Sequence, residues 1–152
     1  YYREAIKLCR EEGVIKEELF TTNNLAIIRK TQKKFPEALA LYQSALALAK
    51  KLPPKQRTKE EGYIYVNLSQ MANKQDKPQE ALANGRLAFE RFKDNGNPRE
   101  RAAVLLNLGT ASGKLEQYTK SERYFRQAIE TEKTTLGLLE QGSKALLGFL
   151  SR

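Results

Sequence analysis

The chain has 152 residues, 40% hydrophobic and 30% charged, a balance that fits an ordinary folded domain and neither a disordered tail nor a membrane protein. It contains no histidine and a single cysteine, Cys9, which removes histidine triads, most zinc sites and any internal disulfide framework. Lys and Arg outnumber Asp and Glu by 27 to 18, for a net charge of +9, so acidic partners and nucleic acid both enter as ligand classes.

Taken in chain order, the first residues, Tyr1 to Leu8, already read as the middle of an amphipathic helix and, with Tyr rather than Met at position 1, lead us to expect a fragment of a longer chain. Cys9 reads as a small apolar helix residue. The first break is expected at Glu12-Gly13, which makes 1–12 the second helix of a truncated unit. Two helices follow over 14–52, with apolar positions Leu25, Ile28, Leu39, Tyr42 and Leu46 at the helical period and a break from Lys33 to Pro36.

Leu52-Pro53-Pro54 then punctuates the chain, and 55–94 holds another pair broken at Gln75 to Pro78. After Asn95-Gly96-Asn97-Pro98 a third pair spans 97–135, with its break from Glu116 to Thr119 and a capping box offered by Thr119 with Glu122. A weaker break near Gly137 would open a last helix over 138–152.

These units are copies of one another. Asn-Leu-small recurs as Asn24-Leu25-Ala26, Asn67-Leu68-Ser69 and Asn107-Leu108-Gly109, and Ala45, Ala88 and Ala128 follow each leucine at one fixed distance. Two registers in step identify an internal repeat. Small residues at Ala38, Ala81 and Ser121 mark a third shared position, where only short side chains allow antiparallel backbones to approach closely.

Asn107-Leu108-Gly109 with Tyr118, Ser121, Phe125, Ala128 and Ile129 resembles the tetratricopeptide repeat, and the longer copies here resemble those of kinesin light chains and bacterial peptide-sensing regulators. Departures occur at Arg29, Ala72 and Ser112, where the family carries tyrosine, and at Gly85, where Tyr42 and Phe125 stand in the other copies. The resemblance implies an all-α fold of antiparallel helix pairs stacked in a right-handed superhelix. Its first helices would line a concave groove for a protein or extended peptide.

The resemblance places Asn24, Asn67 and Asn107 in that groove, where an amide both donates to and accepts from a peptide unit. Residues on the same helix face nominate Ile27, Lys30 and Thr31, then Gln70, Asn73 and Lys74, then Thr110 and Lys114. Phe20 and Tyr63, one turn earlier, would add apolar contact. Lys74 and Lys114 favour an acidic or carboxylate-bearing ligand.

No catalytic constellation, cofactor motif or metal-ligand spacing is present. Gly109 to Leu115 superficially matches a phosphate loop but has three residues between its glycines and Leu115 after the lysine. Nucleic-acid binding is the alternative function, through the distributed basic charge and Arg123-Tyr124-Phe125-Arg126. Leu146, Leu147, Phe149 and Leu150, on a last helix without its partner in this stretch, predict self-association or cover by further chain. These apolar stretches are too short to cross a bilayer, and with no targeting segment in view the expected compartment is the cytoplasm.

Overall fold

A computed structural model describes residues 2–150 as six helices: α1 (Tyr2–Thr31), α2 (Phe35–Ala49), α3 (Pro54–Lys74), α4 (Pro78–Phe92), α5 (Pro98–Lys114) and α6 (Tyr118–Leu150). The side chains of Cys9, Leu146, Phe149 and Leu150 lie outside the described residues. The helices pack as pairs, α1 with α2, α3 with α4 and α5 with α6, and α2–α3 and α4–α5 contacts stack one pair on the next.

The three turns inside the pairs are the same object. Lys33, Asp76 and Glu116 all adopt left-handed backbone, with φ of 61°, 59° and 60°. The residue after each donates its N–H to a carbonyl five positions back, Lys34 to Arg29, Lys77 to Ala72 and Gln117 to Ser112, all at 2.9 Å. The left-handed residue itself bonds to Lys30, Asn73 or Gly113. This closure of a helix end by a 6→1 and a 5→2 bond usually uses glycine. Here three ordinary side chains accept the strained conformation because both bonds satisfy carbonyls that the helix end would otherwise orphan.

Beyond each turn the partner helix starts at once, and the small residues meet. Ser69 Oγ donates to Ala81 O at 2.7 Å, and in the next pair Ser121 Oγ donates to Gly109 O at 2.7 Å. These are matching crossing points with the hydroxyl supplied from opposite partners. In the first pair the crossing is Ala26 on Ala38, both fully buried, and relies on contact alone.

Each core joins one pair to the first helix of the next. Ala26, Ala38, Tyr42 and Ala45 pack with Ile64, Leu68 and Met71 of α3. Ala72, Ala81, Leu82, Ala88 and Phe92 pack with Val104, Leu108 and Ala111 of α5. Gly85 does not interrupt this stacking: a Cβ there would lie 2.7 Å from Leu108 Cδ2, so the space taken by Tyr42 in the first copy is filled from α5 instead.

Tyr42 is 0% exposed and its hydroxyl finds no hydrogen-bond partner among the described residues; burial raises its pKa. An unpaired buried hydroxyl costs about 1–3 kcal/mol. Tyr42→Phe is therefore expected to raise stability by about 1 kcal/mol, seen as a higher urea midpoint at unchanged slope. A destabilised variant would show that the hydroxyl is satisfied.

Two expected breaks are absent. α1 continues through Glu12-Gly13 and α6 through Gly137, and a Cβ at either glycine would meet nothing within 4 Å. Among the described residues nothing packs against either glycine to draw the chain into a turn, and an isolated glycine costs a helix only about 1 kcal/mol. The capping box expected at Thr119 lies inside α6, where Glu122 pairs with Arg126. The box that forms is at Asn97, whose side chain accepts from Glu100 N–H at 2.9 Å while Glu100 accepts from Asn97 N–H at 2.9 Å. It caps α5, with Pro98 at the first turn.

Candidate functional site

The first helices α1, α3 and α5 lie side by side, and the nominated residues fall along this row. Asn24, Asn67 and Asn107 are half-buried at successive steps. They are not idle. Lys30 Nζ donates to Asn67 Oδ1 at 3.3 Å and to Gln70 Oε1 at 2.5 Å. Asn107 Nδ2 donates to Val66 O at 3.3 Å, and Asn73 Nδ2 donates to Asn107 O at 3.0 Å. Lys114 reaches back to Asn73 O and pairs with Asp76 at 3.3 Å.

Polar groups on the groove face thus tie each first helix to the next. Lys30 and Asn73 occupy equivalent positions, and both reach the asparagine region of the following helix. What stays open is one half of two amides: Asn67 Nδ2 and Asn107 Oδ1 make no hydrogen bond among the described residues, as do neither group of Asn24. A ligand peptide unit can meet those.

The other nominees divide between trough and packing. Gln70, Lys74 and Thr110 are exposed, Thr31 and Thr110 each returning a hydroxyl bond to their own helix at 2.9 Å. Ile27 is half-buried, and Asn73 is buried with Oδ1 unpartnered. Phe20 is 67% exposed near the start of the row. Tyr63 serves the core instead: its ring stands edge-on to Phe92 at 5.4 Å and its hydroxyl donates to Glu100. Burial first, and the hydrogen bond and charge of Glu100 second, raise its pKa to about 12.

Lys30 is the electrostatic peculiarity of the row. It is 4% exposed, bonds to neutral amides, and has no carboxylate within ion-pair distance among the described residues. Burial first, and the charge of Lys74 second, pull its pKa from 10.5 to about 8. Periodicity placed Lys30 on this face but could not show that it is buried, because its environment comes from α3, 37 to 40 residues away.

Along α6, Tyr118, Phe125 and Ile129 remain exposed and line a shallow concavity of about 800 Å³. Leu136 and Leu147 continue the exposed apolar residues towards the end of the helix. The stretch Gly109 to Lys114 is inside α5, with no strand before it among the described residues. No group of three or more His, Cys, Asp or Glu side chains there could hold a metal ion, and no described helix is long and apolar enough to cross a membrane.

Antiparallel pairs closed by one recurring turn, each sharing its core with the next, define a helical-repeat solenoid. Tetratricopeptide repeat models match residues 21–52 and 60–133. The chain belongs to the tetratricopeptide repeat family. The crystal structure of a TPR-like protein from Chlorobium tepidum TLS has a similar fold, with a TM-score of 0.68 at 14% identity, covering 80% of this chain and 83% of that one. No curated protein matches the chain significantly.

Proposed function

We propose that the chain is a non-catalytic scaffold that holds an extended, carboxylate-bearing peptide along the row of α1, α3 and α5. The observation that carries this reading is the uncompensated positive charge of that row: Lys30 is buried among neutral amides beside Lys74. A buried cation without a counter-charge is costly, and a ligand carboxylate over Lys30 and Lys74 would relieve it. Asn67 Nδ2, Asn107 Oδ1 and the exposed Gln70 and Thr110 would hold the ligand backbone. A docking role within a longer regulatory chain rests on the resemblance to peptide-sensing regulators.

Selection of random displayed peptides against the chain tests this. Enriched peptides are expected to carry Asp or Glu, and Lys74→Glu should weaken them by about tenfold, or 1.4 kcal/mol, without lowering the melting temperature, because Lys74 is exposed and its charge only adds to the cost of the buried Lys30. Failure to enrich any peptide, or equal binding by Lys74→Glu, would refute the proposal.

A further inference from the structure

A second concentration of positive charge lies between the second helices α4 and α6. Arg86 of α4 and Lys120 and Arg123 of α6 border a cleft of about 250 Å³, with Ser112 of α5 and Gln117 completing its wall. None of the three cations forms an ion pair among the described residues. Ser112 is 1% exposed, and its Oγ has no hydrogen-bond partner there.

The cleft runs along the first turns of α6, and of the residues that open the helix only Gln117 and Lys120 border it. Ser121 N–H bonds to Gln117 O at 2.9 Å, so the N–H groups of Tyr118, Thr119 and Lys120 are the orphan donors of that helix end. Helix starts favour negative charge. α2, α4 and α5 carry Glu37, Glu80 and Glu100 in their first turns, whereas α6, like α3, has no acid there.

The preceding repeat supplies an internal control. At the positions that match Arg86, Ser112, Lys120 and Arg123 stand Gln43, Ala72, Glu80 and Ala83. Packing of the same fold does not require the basic set, since the earlier pair forms without it. All four replacements add a positive charge or a hydrogen-bond donor, and they converge on one cleft. A random surface excess of lysine would not bring a buried serine and a helix start with it.

We propose that this cleft binds a phosphate group, as the free ion or as a monoester. Such a group carries close to two negative charges and three strong acceptor oxygens. Arg86 and Arg123 would take it through their forked donors, Lys120 as a point charge, and the unpartnered Ser112 hydroxyl as a further donor. The volume lies below the range of drug-sized sites, about 300–1,000 Å³, and suits one small charged group. The site is separate from the row of first helices and does not depend on the peptide reading above.

Amide and arginine Nε NMR shifts, followed while titrating inorganic phosphate or O-phosphoserine at constant ionic strength, test the site, with acetate as comparator. Saturable shifts are expected at Ser112, Gln117, Lys120, Arg86 and Arg123. Lys120→Glu, which restores the residue of the preceding repeat, should weaken them by about tenfold or more. Lys55→Glu, an equal charge change at an exposed position outside the cleft, should leave them intact. Tighter binding of O-phosphoserine would identify a modified polypeptide as the source of the group, and tighter binding of inorganic phosphate the free ion. Unsaturable shifts, equal shifts with acetate, or equal weakening by Lys55→Glu would overturn the proposal.

Discussion

Phe92→Ala is expected to destabilise the chain by about 3–5 kcal/mol, a large share of the roughly 5–15 kcal/mol that holds a domain of this size together. The side chain is 1% exposed and lies at the end of α4. The surroundings are shaped to it: a Cβ at Gly62 would sit 2.6 Å from Phe92 Cζ, and one at Gly96 would sit 2.6 Å from Phe92 Cβ. Tyr63 closes the edge-on contact at 66°. Gly62, which faces the ring, has no side chain to swing into the hole that truncation leaves, so the cavity term adds to the lost transfer energy.

The same cluster joins α3 and α4 to α5, so its loss should weaken coupling between neighbouring pairs. In a solenoid stability is a sum of repeat and interface terms, and the variant is expected to show a broadened or two-step urea transition. Phe89→Ala, at an exposed position of the same helix, should cost less than about 1.5 kcal/mol. Equal losses for the two variants would show that Phe92 is not the keystone of the junction.

The second large effect is a pH dependence centred on Lys30. Its folded-state pKa of about 8 lies below the ordinary 10.5, so burial destabilises the protonated folded form. Below pH 8 both states are protonated and the full penalty applies. Between pH 8 and 10.5 the folded chain releases the proton first and the unfolded chain holds more protons, so stability rises with pH. At 1.36 kcal/mol per unit, the gain from about pH 7.5 to about pH 9.5 is about 2 kcal/mol.

Above pH 10 the sign reverses. Tyr42 and Tyr63 have raised pKa values in the folded chain, so the unfolded tyrosines ionise first and stability falls. The Lys30 effect is therefore best read below that range, as wild type minus Lys30→Met. Met keeps the apolar stem without the charge, and Asn67 and Gln70 can turn to water. The variant should be the more stable near neutral pH, and its advantage should shrink by about 2 kcal/mol by about pH 9.5. Parallel pH profiles for the two proteins would sink the argument.

Much of the fold was legible in the sequence because it depends on local chemistry and repetition. The helical period, the prolines at Pro36, Pro54, Pro78 and Pro98, and the small residues at the crossings all act within one pair, and the pair recurs. The left-handed turn residues were not legible as a set, since only Asp76 is of a type that enters this conformation readily, while Lys33 and Glu116 are not. Gly13 and Gly137 misled in the opposite sense: glycine permits a break but does not impose one, and no packed neighbour demands it there.

The sequence by itself determined that this protein is a stack of helix pairs with a polar row on its first helices, because a residue's helix face follows from spacing alone. Only the tertiary structure decided what that row holds. Asn73, Asn107 and Lys114 spend donors on the neighbouring first helix, Lys30 loses water to α3, and Arg86, Lys120 and Arg123 meet across a cleft that no single helix contains. Those properties depend on side chains brought together from neighbouring repeats, and desolvation and charge pairing act through space rather than along the chain.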